Sequence, residues 1–392
     1  MLKVEFCFIR HFFVLFILCT ILISVPAHAI ETANYGIHQH YIAPRAMGMG
    51  NTFSGVDDYN VLFYNPAGLA HLEKGRINIG IGGGIDKDAL DFGKDLSDIS
   101  DSNQSDADKT QAVSDLLQSK YGEAYSIRAP RLNFIYTRPR WGIALIPVDL
   151  SVTMMPNQAT GPALDVTAYQ DTTLAFGWAK KSNKKKFSWG FVGKAIYRGH
   201  MDQNLLAIDL IDNSDVVRDE DFKEGFTVDA DVGVMWSPYA DKTSGPFRKV
   251  KPTFSAVVRN IADYGFKSNF NIYNEQSQEP EKLHRRVDIG SRWDFPTFSV
   301  FEPRIMIDIR DIFHEYWNLN KGFHMGMELK YKVGSALHGS LQAGLSQMHW
   351  TAGLGLQSYF FKLEAVTYAE EYGTQSYERS SRLYLAQINF NF

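Results

Sequence analysis

His38-Gln39-His40 sets two imidazoles two positions apart, so an extended backbone presents both on one side. That is half of a zinc site. No third ligand follows nearby in the sequence, so no metal is expected. Gly82-Gly83-Gly84 lacks the Lys-Ser/Thr that completes a phosphate loop and reads as a strand end. Neither Gly-x-Ser-x-Gly nor His-Glu-x-x-His occurs. Nothing points to a Ser–His hydrolase, whose partners lie far apart in sequence. Asp86, Asp88, Asp91, Asp95, Asp98, Asp101, Asp106, Asp108 and Asp115 make residues 85–130 acidic, but the calcium-loop spacing that ends in a Glu is absent. The only cysteines are Cys7 and Cys19. No catalytic set and no cofactor are expected, and an enzyme is the least favoured class.

What remains is charge at regular spacing. Lys194, Arg198, Asp229, Asp231, Arg286, Asp288, Arg292, Arg304, Asp308, Arg310, Glu328 and Lys330 alternate with apolar positions. The elements that position them must therefore have a period of two, which is a strand's. Phe226, Val228, Ala230, Val232, Val234 and Trp236 share one face, and Thr227, Asp229, Asp231, Gly233 and Met235 the other. Phe323, Met325, Met327, Leu329 and Tyr331 likewise oppose His324, Gly326, Glu328 and Lys330. Both signs of charge fall on neighbouring strands, which predicts an ion-pair network in a narrow interior.

The same alternation predicts strands over 76–84, 131–138, 141–153, 168–180, 186–198, 225–237, 252–261, 284–294, 303–311, 322–332, 339–347, 350–357, 360–369 and 381–392. The number is even, as a single-chain bacterial barrel needs. With both termini periplasmic, the connections 85–130, 154–167, 199–224, 262–283 and 370–380, several of them long, fall outside. Short ones such as Pro139-Arg140 and Ser358-Tyr359 fall inside. The 14-residue connection Pro238–Lys251 and the tight outer turn Met348-His349 depart from that rule. Val113, Leu116, Leu117 and Tyr121 recur at helical spacing, so part of the acidic loop is expected to be helical.

Composition agrees with this class. The chain has 392 residues, 45% hydrophobic, 14% aromatic and 21% charged, with a formal charge of −4. That excludes a nucleic-acid binder driven by bulk positive charge. A mean hydropathy of −0.22 excludes a polytopic helical membrane protein, but not a barrel whose strands are half apolar. At the N-terminus, Lys3, Arg10 and His11 precede an apolar run from Phe12 to Val25, and Pro26-Ala27-His28-Ala29 ends in a small-x-small site. This reads as a secretory signal peptide over residues 1–29. Its removal takes Lys3, Glu5, Arg10 and both cysteines, leaving a cysteine-free chain. The last strand ends in Phe392, with Tyr384, Ile388 and Phe390 on its face. That pattern resembles the signal by which outer-membrane barrels are handed to the barrel-assembly machinery.

Three motifs near the N-terminus stand out: Arg45-Ala46-Met47-Gly48-Met49-Gly50, Asp57-Asp58 and Asn65-Pro66-Ala67-Gly68-Leu69. With Gly326-Met327-Glu328, Leu341-Gln342-Ala343-Gly344-Leu345, Thr351-Ala352-Gly353-Leu354-Gly355 and Glu370-Glu371-Tyr372-Gly373, they resemble the FadL-like outer-membrane superfamily, with its PorV-like and TraF-like branches. The resemblance implies a transmembrane antiparallel barrel of about fourteen strands over 76–392. It also implies a hatch, residues 30–75, inside the lumen, with Gly48, Gly50, Phe63, Asn65, Pro66, Ala67 and Gly68 as its key positions. The expected location is the bacterial outer membrane, in contact with lipid and lipopolysaccharide. The expected function is passive uptake of hydrophobic or amphipathic molecules, the ligand's carboxylate lying near Arg286, Arg292 or Arg304. The alternative is a PorV-like partner for a secreted protein, with a sealed lumen.

Overall fold

A computed structural model describes residues 34–392, except 159–160, 183–185, 213–220, 241–246, 248, 264, 273–277, 334–336 and 376. The expected signal peptide lies outside the described residues. Fourteen antiparallel strands close into a barrel: β1 (Arg76–Asp86), β2 (Tyr125–Arg138), β3 (Trp141–Asn157), β4 (Ala163–Lys181), β5 (Phe187–Leu206), β6 (Lys223–Trp236), β7 (Lys251–Arg259), β8 (Arg286–Asp294), β9 (Phe301–Ile312), β10 (Phe323–Val333), β11 (Leu337–Ser346), β12 (His349–Gln357), β13 (Phe361–Glu371) and β14 (Ser380–Asn391). β1 closes on β14 with Asn78 opposite Asn391, so the sheet has no free first or last strand. No helix among the described residues is long and apolar enough to cross a membrane.

Strand number and order agree with the alternation. β2 through β5 nevertheless run further toward the long-loop end than the pattern suggested. Leu205 and Leu206, expected in a loop, end β5. The reason is a second apolar layer. Two helices in the β1–β2 connection, α3 (Lys87–Ser100) and α4 (Asp106–Ser119), pack Phe92, Val113 and Leu117 against Leu164, Val166, Ala168 and Met201. Strand ends covered on one side by helices lose the clean apolar–polar alternation. The β2–β3 ladder also shifts register around Pro130 and Pro147, which hides the strands from a period-two reading. Both helices carry side-chain caps: Asp86 accepts from the Asp88 amide at 2.9 Å, and Ser105 accepts from the Asp108 amide at 3.3 Å.

The two sides of the wall differ as the alternation requires. Ile81, Phe134, Leu174, Trp189, Val232, Trp236, Ile305, Met327 and Ile388 are exposed on the outside. Their sequence neighbours Asp231, Ser188, Gln387 and Glu328 are buried inside. At the short-turn end the terminus is tied in, with the Ile77 and Phe392 amides each donating to the other's carbonyl at 2.9 Å. Tyr384, Ile388, Phe390 and Phe392 all lie on the exposed face of β14. At the other end, Gln347 and Met348 both have positive φ, which a two-residue hairpin turn demands.

The exposed apolar outer band predicts a measurable cost for a charge placed in it in a lipid bilayer. Val232→Arg is expected to destabilise the folded barrel by up to about 2–4 kcal/mol. The measurement is the urea midpoint of the heat-modifiable gel band. An unchanged midpoint would mean that this face does not meet lipid.

Candidate functional site

The interior is filled by the N-terminal segment, residues 34–72, rather than by wall side chains alone. Its regular parts are short: α1 (Pro44–Gly48), α2 (Val61–Tyr64) and a 3-10 turn over Pro66–His71. Such short helices leave most backbone carbonyls without intrahelical partners. The wall supplies the donors. Arg131 donates to the Ile42 carbonyl at 2.5 Å, Arg310 to Asn51 at 2.5 Å, and Arg259 to Phe63 and Tyr64 at 2.7 and 2.8 Å. Arg128 bonds the Gln39 carbonyl. Lys321, on helix α6 (Leu319–Gly322; α5 is Asp209–Asp212 in the β5–β6 connection), donates to the Tyr35 carbonyl at 2.6 Å. Burial lowers the Lys321 ammonium to about 8.

Those cations are held in turn by wall carboxylates. Arg259 meets Asp288 at 2.6 Å, Arg131 meets Asp149 at 3.1 Å, and Arg286 meets Asp311 at 3.0 Å. Arg198 pairs bidentately with Asp171 at 2.8 Å on both arms, and Lys194 lies 2.7 Å from Asp231. The segment contributes one large charge of its own. Arg45 bonds Glu328 bidentately at 2.6 and 2.7 Å, and also reaches Asp57 and Asp58 at 3.0 and 3.1 Å. Paired and hydrogen-bonded, these buried charges satisfy the condition for lying out of bulk water.

Glycines set how closely segment and wall approach. A Cβ on Gly50, whose φ is +67°, would lie 2.3 Å from the Met325 carbonyl oxygen. A Cβ on Gly326 would lie 2.1 Å from that of Met49. Backbone thus meets backbone at this point. The Gly50 amide donates to the Thr351 hydroxyl at 3.1 Å, and that hydroxyl bonds the Gly48 carbonyl at 3.0 Å. Asn65 and Pro66 are received in the same way: Gly233 faces the Asn65 side chain and Gly190 the Pro66 carbonyl.

The positions singled out in the sequence do not all behave alike. Lys194, Arg198, Asp231, Arg286, Asp288, Arg304, Glu328 and Lys330 are ion-paired. Arg310 lies 3.6 Å from Asp288 as well as on the Asn51 carbonyl. Asp308 instead accepts from the Ser54 amide at 3.0 Å and from its hydroxyl. Asp229 accepts from the Ala262 amide at 3.0 Å. Arg292 pairs at 3.0 Å with Asp294 on its own strand. Asn65 bonds backbone rather than the charged wall: its side chain donates to Val234 at 3.3 Å and accepts from Ala67 at 3.1 Å. Phe63 stacks on Tyr41 at 4.2 Å between ring centres, inside packed core. Gly68 lies against the Val61 side chain. Arg286, Arg292 and Arg304 do not form one group. Arg286 lies with Asp311 toward the long-loop end, and the other two lie at the short-turn end. His38 bonds Asp171 at 3.2 Å and stacks on Tyr169, so it is a packed lumen residue.

Arg128, Arg131, Asp149, Asp171, Arg259 and Asp311 were not anticipated as site residues. Parity finds Arg131, Asp171 and Arg259, the last following Thr253, Ser255 and Val257 on the inner face of β7. Arg128, Asp149 and Asp311 are buried against the parity of their strands, Arg128 and Asp149 beyond shifts in register. At the short-turn end, a cavity of about 640 Å³ ends against the segment at Val56, Asp57, Asp58, Tyr59 and Leu72.

No family model matches the chain, and no curated protein matches it in sequence. Among solved structures, it is similar to the CymD monoaromatic hydrocarbon channel, at 9% identity and a TM-score of 0.47, covering 89% of this chain and 96% of that one. It is similar to the Ralstonia pickettii toluene transporter TbuX at 10% identity and a TM-score of 0.47, covering 89% and 97%. A Pseudomonas aeruginosa FadL homologue gives 9% identity and a TM-score of 0.36, covering 91% and 99%.

Removing one member of a buried pair strands the other. Glu328→Gln is therefore expected to cost about 3–5 kcal/mol, whereas Arg45→Met with Glu328→Met costs less than the two single changes together. A double-mutant cycle from urea unfolding measures this. Simple additivity would remove Arg45–Glu328 as a tie of the segment.

Proposed function

We propose that the chain is a bacterial outer-membrane barrel for passive uptake of hydrophobic or amphipathic small molecules, with residues 34–72 as its hatch. The observation that carries this reading is the cavity of about 640 Å³ that ends against the segment. It falls in the size range of small-molecule sites, and the segment forms part of its lining. The exposed apolar band and the sorting of connections by length support placement in an outer membrane.

Passage then requires release of the segment or a gap in the wall. The ladder supports a place for such a gap. β6 pairs with β5 over Lys223–Trp236, but with β7 only over Val232–Trp236. Beside the rest of β6 the β7–β8 connection lies instead, touching it through a Phe226–Ser268 bridge and the Ala262–Asp229 hydrogen bond. A seam closed by loop backbone opens at lower cost than a full ladder.

A second reading has its own support. Phe270, Ile272, Phe313 and Leu319 are exposed in the long-loop connections, at 62%, 63%, 76% and 60%. Exposed apolar side chains of this kind above an ion-paired lumen suit a sealed barrel that docks a secreted protein.

A tether separates the two. Ser54 and Asp308 side chains touch across the segment–wall boundary, and the chain beyond residue 29 has no cysteine. Ser54→Cys with Asp308→Cys, reconstituted in liposomes, is expected to stop entry of a hydrophobic tracer when oxidised and to restore it when reduced. If the wild type moves such tracers no faster than empty liposomes, uptake is wrong. If changes at Phe270 and Phe313 then abolish surface display of another protein, the docking role stands in its place.

A further inference from the structure

The cavity at the short-turn end is unevenly charged. Seven Lys and Arg line it against four Asp and Glu. Three cations converge on one carboxylate: Arg45 lies 3.0 Å, Arg304 2.8 Å and Lys330 2.8 Å from Asp57. Arg304 and Lys330 belong to the wall, on β9 and β10, whereas Asp57 belongs to the segment. The Asp57 side chain is 30% exposed, while those of Arg45 and Glu328 beside it are 6% and 0%. Asp57 and Lys330, whose side chain is 29% exposed, are thus the members of the cluster that a solute in the cavity reaches. The other ties of the segment, such as Arg259 on the Phe63 and Tyr64 carbonyls, are buried. Apolar groups share the lining: Val56, Tyr59, Leu72, Met235 and Tyr331.

We propose that Arg45, Arg304 and Lys330 form an oxyanion seat that Asp57 fills when the segment is closed, and that the anionic head of an amphipathic molecule takes its place. The inference rests on the uptake reading and adds the class of ligand and the bond it breaks. A guanidinium pair and an ammonium around one oxygen pair make a strong site for a carboxylate, sulfate or phosphate group. The exchange conserves charge: one carboxylate leaves and one anion enters, so no cation is stranded. Asp57 then loses its hold on Arg304 of β9 and Lys330 of β10, which loosens the segment at the end facing the cavity while Arg45 keeps its bonds to Glu328. The apolar lining favours an anion with a short tail over a free inorganic one.

The test is titration calorimetry in non-ionic detergent, with octyl sulfate and inorganic sulfate as probes. Asp57→Asn removes the internal competitor and is expected to bind octyl sulfate about tenfold more tightly than wild type. Adding Lys330→Gln is expected to reverse the gain. Inorganic sulfate is expected to bind at least about tenfold more weakly than octyl sulfate. Asp57→Asn binding no tighter than wild type overturns the proposal, as does binding indifferent to Lys330. Equal affinity for the two probes overturns the amphipathic assignment. If Asp57→Asn does not assemble, a fluorophore on Cys at exposed Glu73, which also lines the cavity, reads the otherwise unchanged protein. A saturable shift with octyl sulfate is expected, and its absence overturns the seat. Binding in detergent needs no passage across a membrane. A barrel that binds octyl sulfate without transporting a tracer contradicts uptake alone, and one that transports without binding contradicts the seat alone.

Discussion

The interior depends on one pairing: wall guanidinium groups against the backbone carbonyls of the N-terminal segment. Fourteen strands enclose a space that wall side chains alone do not fill. The segment that fills it has only short helices, so its carbonyls need outside donors. Arg131, Arg259 and Arg310 supply them from three separated strands. Each arginine needs a counter-charge, and Asp149, Asp288 and their neighbours provide it on adjacent inner faces. The charged lumen is therefore a consequence of placing bare backbone inside a barrel. Lysine would serve less well, because one guanidinium can span a carboxylate and a carbonyl together, as Arg259 does.

Close approach is the second half of that constraint. Gly50 against Met325, Gly326 against Met49, and Gly233 and Gly190 against Asn65-Pro66 let backbone lie on backbone. The motifs that carry the family resemblance are thus two sides of one contact. Met47-Gly48-Met49-Gly50 is the inner side, and the glycines at 326, 344 and 353 are the outer side. Glu328, beside Gly326, holds Arg45 at the head of the same motif.

The strands were largely legible because a wall with an apolar outer face and a packed polar interior imposes strict alternation, and Phe226 to Trp236 displays it without a break. It failed where another constraint acted. The outer ends of β4 and β5 are apolar on the face that α3 and α4 cover, so Leu205 and Leu206 read as loop. Arg128 precedes Pro130 in an irregular ladder and could not be assigned to a face. Among the site residues, parity told which charges point inward but not which partner each finds. Glu328 and Arg45 are 283 positions apart, and nothing local to either names the other. Asp308 and Asp229 show the limit: both point inward as alternation requires, yet they take backbone amides and a hydroxyl instead of cations.

Residues 34–72 lie in the lumen and are held there by the wall, and hydrogen–deuterium exchange on the folded barrel is the most direct test of that placement. Peptides covering 41–70 are expected to be protected to the same degree as those of β9 and β10, with the β1–β2 and β7–β8 connections exchanging much faster. Exchange across 41–70 as fast as in those loops would contradict it.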